Sequence, residues 1–489
     1  MLNKKNIGII GAGLGGLSAA IYLASKGYNV SVFEKNDSVG GKAGNLYKDG
    51  FRFDTGPSLL TMPFILGELF ILNNESIEDY LSVRQLKINC KYIYPDGTFL
   101  NAYSNPDEFA KEIGLKTKDN SYSVRKYFKY CKNIYDLTSE LFLFNTEINL
   151  TSFLNRKAVK SLTNIKKIDP FRSMHKANKN HFKDSKTIQL FDRYATYNGS
   201  NPYKVPATLN IISYVELFLG SFIVKEGISA IPKALKSLAR RMGVKFLFNH
   251  MAENIIMGGD DVKGITSNGR DHFFDSVISN VDVRYTYNNL LNTKMKTKNE
   301  PSLSGIIFYW GVKGKFSSLE IHNILFSGNS KTEFDDIFIR HKCPEDPTVY
   351  IYISSKYKTG DAPVGFENWF VMINAPYNTG QNWQSEIDKI REIIKMKIMQ
   401  MLGINLGGRI VLEEILSPPD IEKGTGSFLG SIYGDSSNSR VSAFKRHSVK
   451  SNLYNNLYFC GGSVHPGGGI PLVLLSGKHA AELIDRDLS

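Results

Sequence analysis

A glycine-rich turn near the amino end constrains this chain more than any other feature. Residues 6–36 read NIGIIGAGLGGLSAAIYLASKGYNVSVFEKN. Ile7, Ile9 and Ile10 make a short apolar strand. Gly11, Gly13 and Gly16 then fit G-x-G-x-x-G, and Leu17, Ala20, Ile21 and Ala24 recur at helical spacing. Gly27 stops that helix, and Val30, Val32 and Phe33 make a second strand. A strand, tight turn, helix and strand in this order bind a dinucleotide. Gly11 permits the turn, Gly13 lets backbone approach a pyrophosphate, and Gly16 lets helix pack on strand. The turn Gly11, Ala12, Gly13, Leu14, Gly15 and Gly16 also opens a helix, whose free N–H groups and partial positive charge suit phosphate. Glu34 closes the second strand, 23 residues after Gly11, where a carboxylate accepts hydrogen bonds from ribose hydroxyls; Lys35 follows it.

A second pattern extends the first. Gly40 and Gly41 form a doublet, Lys42 follows, and Gly50, Asp54 and Gly56 fit G-x-x-x-D-x-G ahead of Pro57 and Ser58. This compound pattern resembles the GG-doublet flavoproteins, the group that holds amine oxidases and carotenoid desaturases. The resemblance implies FAD as the cofactor, with Gly41, Lys42, Pro57 and Ser58 running beneath its phosphates and flavin. It implies two further cofactor segments. In residues 225–290, Ile228, Ile231, Leu235 and Leu238 predict a helix that Gly243 stops. A strand then leads to Ala252 on the adenine side, and DSVISNVD returns Asn280 to the cofactor. Near the carboxyl end, NLYFCGG predicts a strand that delivers Gly461 and Gly462. Gly467, Gly468 and Gly469 leave no β-carbon against a flat ring. The amides of Ile470, Pro471 and Leu472 form a helix start aimed at the pyrimidine carbonyl, where only Ile470 and Leu472 carry N–H donors.

The stretch GGSVHPGGGIP is similar to the C-terminal signature of the bacterial-type phytoene desaturase family. Residues 190–220 and 310–329 resemble the substrate region of the same family, closest to members that form the 3,4-double bond of 1-hydroxylated acyclic carotenoids. The resemblance implies that hydride leaves an allylic CH2 for the flavin, that the polyene delocalises the resulting cation, and that a weak base or water takes the proton. Glu216 and His465 are the candidate bases; His465 also reads as a turn residue shaping the loop beside Pro466. A tunnel end must then satisfy the tertiary hydroxyl. Oxygen or a membrane quinone is the expected electron acceptor. Phytoene desaturation is the alternative within the family. An amine oxidase and a lipid chaperone related to Rab escort proteins are the alternatives outside it. Two positions depart from the family pattern: Ile188 stands where many members have arginine, and Lys225, Glu226 and Gly227 replace a commoner glycine pair.

With 489 residues the chain exceeds one simple core. The expected fold is α/β: a Rossmann-like FAD-binding domain from residues 1–75, 225–290 and 440–489, plus a mixed-sheet and helical substrate domain from 76–224 and 291–439. Strands are expected in 303–375, and Ile387, Ile390, Ile393, Ile394 and Ile398 predict the buried side of a helix. Tyr194, Tyr197, Tyr203, Tyr214, Phe218 and Phe222 are candidates to line a polyene tunnel. The formal charge of +13 suits nucleic acid, an anionic membrane surface or an anionic cofactor, and does not choose among them. No nucleic-acid partner is expected. Residues 156–186 hold ten Lys or Arg against two Asp, and with the apolar run 61–72 they would hold a tunnel mouth on lipid. Residues 205–224 are weakly charged but include Glu216, which argues for a core or membrane-surface segment rather than a span. The four cysteines form no CxxC pair, so neither a zinc site nor a disulfide framework is expected. A cytoplasmic protein, peripheral on the membrane, is the resulting expectation.

Overall fold

An unbroken apolar strand needs cover on both faces, and the isoleucines at the amino end receive it. In the computed structural model, which describes residues 4–146, 165–295, 299–439 and 446–489, strand Asn6–Ile10 is central in a five-stranded sheet. Asn29–Glu34 and Ser276–Ser279 flank it, and Lys245–Phe248 and Leu457–Phe459 are the outer strands. Every pairing in this sheet is parallel. Helices Leu14–Ser25, Ala230–Arg241 and Ile470–Leu488 pack together beside the sheet. Against its other face lies the antiparallel meander Ala252–Gly258, Asp261–Ser267 and Arg270–Phe273, where Phe274 meets Phe33 edge-on at 5.9 Å.

Two glycines set how closely these elements approach. A β-carbon on Gly16 would lie 2.2 Å from the Gly11 carbonyl oxygen, and one on Gly477 would lie 2.3 Å from the Gly15 carbonyl oxygen. The first and last helices therefore meet backbone to backbone, and Ser18 donates to the Leu474 carbonyl at 2.7 Å across the contact.

The second sheet has seven strands in the order Ile410–Leu416, Ser304–Lys313, Phe366–Ala375, Val349–Tyr352, His322–Leu325, Ile88–Ile93 and Phe99–Tyr103. Only the pairing of His322–Leu325 with Ile88–Ile93 is parallel. Period-two alternation divides its residues. Ile306, Phe308, Trp310 and Val312 pack toward helix Trp383–Leu402, which buries Ile387, Ile390, Ile394 and Ile398. Ile307 and Tyr309 turn to the other face, with Tyr350 and Phe370.

Helix Ile211–Phe218 shows the same division at helical spacing. Ile211, Ile212, Val215 and Glu216 face the large cavity described below. Tyr214 and Phe218, four residues apart, point away toward helix Ser121–Phe142, where they meet Tyr135 at 4.9 Å and Phe128 at 5.3 Å. Of the six aromatic residues expected to line a tunnel, Tyr197 alone reaches that cavity. Tyr194 is buried in the core, Tyr203, Tyr214 and Phe222 are half-buried between elements, and Phe218 is exposed, because apolar aromatic bulk is as useful for packing as for lining a channel.

Residues 205–224 form the short turn Ala207–Asn210, helix Ile211–Phe218 and strand Phe222–Val224. No helix among the described residues is long and apolar enough to cross a membrane. Residues 156–164 of the basic segment lie outside the described residues; the rest carries helices Ile165–Ile168, Met174–His181 and Ser185–Asp192. The apolar run 61–72 is largely helix Pro63–Ile71, which buries Ile65, Leu66, Leu69 and Phe70 but exposes Phe64 and Ile71.

Candidate active site

A cavity of about 1510 Å³ runs between the two sheets. A single small-molecule site occupies roughly 300–1,000 Å³, so this one has room for two ligands end to end. Its first end is built from three stretches of chain, two of which carry the glycine motifs. Gly11, Gly13, Leu14, Glu34, Lys35, Gly41, Lys42, Pro57 and Ser58 line it, with Ala252, Asn280, Gly462, Ile470, Pro471 and Leu472. Ala12, Gly15 and Gly16 lie behind this wall.

Several features of this end fit a dinucleotide. Helices Leu14–Ser25 and Ile470–Leu488 both begin at it, at Gly13 and Gly469, and neither start has a side-chain cap. Their first-turn N–H groups are therefore available to an anionic or carbonyl ligand. A β-carbon on Gly469 would meet nothing within 4 Å, and one on Gly41 would lie 3.6 Å from the Gly13 α-carbon. Bare backbone thus faces the cavity at both places. Glu34 is 5% exposed. Its Oε2 accepts from the Ala12 N–H at 2.8 Å and its Oε1 from the Asn36 N–H at 3.0 Å. These bonds fix the carboxylate and leave lone pairs toward the cavity.

Asn280 joins the three segments. Its Nδ2 donates to the Gly11 carbonyl at 3.3 Å, and the Cys460 thiol lies 3.5 Å from its Oδ1. Lys42 is exposed toward the cavity, and its Nζ donates to the Ile432 carbonyl at 2.8 Å. Burial lowers its ammonium to about 8, a shift that the Asp282 carboxyl opposes. Burial raises Asp282 in turn, against the charge of Lys42.

The second end lies between helix Ile211–Phe218 and the seven-stranded sheet. Leu209, Ile212, Val215, Ile307, Ile324 and Phe370 supply its apolar wall. Glu216 is set into this wall at 3% exposure. Its Oε1 accepts from Arg193 at 3.2 Å and Tyr194 at 3.0 Å, and its Oε2 accepts from Tyr197 at 2.5 Å. The Arg193 guanidinium lies over the rings of Tyr92, Tyr194 and Tyr197 at 4.6–5.2 Å. His465 lines the cavity and lies 3.3 Å from the Asn145 carbonyl through Nε2. Burial pulls its imidazole down to about 4, helped by the charge of Arg446, so the ring is neutral near pH 7.

Residues that no motif announced complete the site. Arg446 donates to the carbonyls of Tyr433 at 2.8 Å and Gly462 at 3.1 Å. Tyr350 shares hydrogen bonds with Ser58 at 2.6 Å and His322 at 2.7 Å. Ser58 and Tyr350 are far apart in the chain, and only the fold brings them together. The GxxxDxG aspartate has a structural role here. Asp54 pairs with buried Arg52 and accepts the Ser229 N–H at 3.1 Å, tying the second of these stretches to the first.

Comparison with known proteins bears on this geometry. The family model for flavin containing amine oxidoreductase matches residues 14–304. The chain belongs to that family. It is an FAD-dependent oxidoreductase. Among curated relatives of this flavin oxidoreductase, a 1-hydroxycarotenoid 3,4-desaturase from Flavobacterium sp. (strain P99-3) is 42% identical, over 98% of this chain and 99% of its own. A 4,4'-diaponeurosporene oxygenase from Staphylococcus aureus (strain bovine RF122 / ET3-1) is 33% identical over 98% of each chain. The solved structure of putrescine oxidase bound to putrescine has the same fold, with a TM-score of 0.63 at 13% identity over 99% of each chain.

Proposed function

We propose that this flavin oxidoreductase is a carotenoid desaturase that forms the 3,4-double bond of a 1-hydroxylated acyclic carotenoid at a membrane surface. One observation carries the reading: a single cavity joins a bare-backbone dinucleotide end to an apolar end. The 42% identity to a 1-hydroxycarotenoid 3,4-desaturase along nearly the whole chain supports the same substrate class. The strand membership of the two sheets supports the division into FAD-binding segments 1–75, 225–290 and 440–489 and substrate segments 76–224 and 291–439.

Bound FAD supplies a two-electron oxidant that accepts hydride. The chain's own residues hold it and shape what reaches it. Gly11 to Gly16 and the start of helix Leu14–Ser25 receive the pyrophosphate, with Lys42 as the nearby cation. Glu34 receives the ribose, and Ala252 and Asn280 flank the cofactor. Pro57, Ser58, Gly462 and the Ile470 and Leu472 amides bracket the flavin. Leu209, Ile212, Val215 and Phe370 exclude water and hold an allylic CH2 in line, which is where most of the rate arises.

Of the two candidate bases, His465 is the better suited. Donating Nε2–H to the Asn145 carbonyl leaves a lone pair on Nδ1. A weak base is enough, because a carbon next to a delocalised cation is strongly acidic. Glu216 already accepts on both oxygens and acts as a wall anchor. Exposed Phe64, Ile71 and Leu72, together with the chain's basic excess, suit contact with anionic lipid.

The test is product analysis. FAD-loaded protein is incubated with vesicles holding either a 1-hydroxylated acyclic carotenoid or phytoene. A polyene band shifted to longer wavelength from the hydroxylated substrate alone is expected. Conversion of phytoene alone would replace this reading with phytoene desaturation.

A further inference from the structure

We propose that His322 and Asn89 recognise the tertiary hydroxyl of the substrate, in a short polar notch beside the reacting carbons. The proposal rests on the desaturase reading above. Substrate chemistry sets where the notch must lie. Oxygen on C1 is three bonds of about 1.5 Å from C3, so it stays within about 4 Å of a reacting carbon. A hydroxyl-binding group at a distant tunnel end could not serve; it must stand where the new double bond forms.

Such a notch exists. His322 is 3% exposed and Asn89 is 2% exposed, and both line the cavity. Among the described residues, His322 Nε2 and both amide atoms of Asn89 have no hydrogen-bond partner. Buried polar atoms are rarely left so, and three in one wall point to a polar ligand. They are neighbours. Asn323 pairs with Lys91 on the parallel strands His322–Leu325 and Ile88–Ile93, and that register continued by one residue sets His322 beside Cys90. A bulge between Ile88 and Cys90 takes Asn89 out of strict alternation, so Asn89, Cys90 and His322 all line the same cavity. The notch is also linked to the expected flavin-binding segment: Ser58 bonds Tyr350 at 2.6 Å, and Tyr350 bonds His322 Nδ1 at 2.7 Å.

The groups match an alcohol. A tertiary hydroxyl offers one donor and two acceptor sites. Burial and the charge of Arg193 push His322 down to about 3, so its ring is neutral. With Nδ1 committed to Tyr350, Nε2 is either a donor or an acceptor, according to which partner supplies that proton. The Asn89 amide supplies the complementary role in either case. The imidazole lies nearly parallel to Tyr352, 5.0 Å between ring centres and 9° between planes, which fixes its direction. The gem-dimethyl carbon beside the hydroxyl then rests against Ile324 and Phe370, which line the same cavity.

The experiment compares FAD-loaded wild type with His322→Phe, His322→Gln and Asn89→Leu. Each receives a 1-hydroxylated carotenoid and its 1-deoxy counterpart of equal length. Relative kcat/KM is measured for turnover. Binding of the already desaturated hydroxylated product is followed separately by its polyene band shift. Wild type is expected to prefer the hydroxylated substrate by about 10- to 100-fold. His322→Phe and Asn89→Leu should each reduce that preference about tenfold and weaken product binding equally, while His322→Gln retains some of both. Asn89→Leu should also leave the thermal midpoint unchanged or raised, since it removes two unpartnered buried atoms.

Unchanged preference and product binding in Asn89→Leu would overturn the proposal, even if His322→Phe failed to fold. Equal use of both substrates by wild type would overturn it while leaving a carotenoid desaturase in place. Turnover of neither would overturn the desaturase reading and this proposal together.

Discussion

Lys42 is the residue whose ionisation reports most directly on the phosphate cradle. Burial lowers its ammonium from the ordinary lysine value to about 8. In the cofactor-free folded chain the charge is therefore present below about pH 8 and lost above it. An anionic pyrophosphate beside it favours the charged form, so binding above that pH takes up a proton. FAD affinity should be level below about pH 8 and then fall by up to about tenfold per pH unit. Isothermal titration of apoprotein with FAD at several pH values checks this, and Lys42→Met should remove the dependence. Gly13→Val gives a second expectation. Its β-carbon would lie 2.8 Å from the Asn280 amide, so the side chain enters the cradle and the purified variant should lack a flavin spectrum.

At this scale the glycine and acid positions were legible, because G-x-G-x-x-G and the doublet encode backbone geometry locally. Arg446, Tyr350, His322 and Asn89 were not, because nothing in their own neighbourhoods distinguishes them from ordinary strand or loop residues.

Among the elements, the contact between the first and last helices matters most. Gly477 sits against the Gly15 carbonyl and the Ala19 N–H, so Gly477→Ala must push the helix backbones away from each other. It should destabilise the chain by about 3 kcal/mol or more. The shift appears in a denaturant titration. The same change should weaken flavin retention, since helix Ile470–Leu488 begins at the cavity. Helices with a clear apolar stripe were legible, as Ile387, Ile390, Ile394 and Ile398 show. Aromatic function was not. Tyr214 and Phe218 share a helix with cavity-lining Ile212 and Val215, and only the direction in which that helix is docked separates the face toward the cavity from the face toward helix Ser121–Phe142.

In the molecule as a whole, one end of the cavity is assembled from three segments spread over the length of the chain. Residues near 10, 280 and 462 meet there through Asn280. A ligand touching all three binds only the folded chain. FAD at 100 times its dissociation constant should thus add about 2.7 kcal/mol of stability. Thermal melts with and without added FAD test this; an unchanged midpoint would count against a shared cradle. The meeting of the two chain ends at one cavity was legible from their glycine-rich signatures, whereas residues 225–290 carry no such signature and were read from their likeness to a family. The order of the parallel strands was not, since Leu457–Phe459 pairs with Ser276–Ser279 across nearly two hundred residues.

In the proposed reaction one continuous cavity couples the flavin to a hydroxylated polyene. The most direct measurement is anaerobic mixing of FAD-loaded protein with a vesicle-embedded 1-hydroxylated acyclic carotenoid, recording flavin and polyene absorption together. Flavin bleaching and the red shift of the polyene should proceed at one rate, with one double bond formed per flavin reduced. A flavin that stays oxidised, or one that bleaches while the polyene is unchanged, would contradict that coupling.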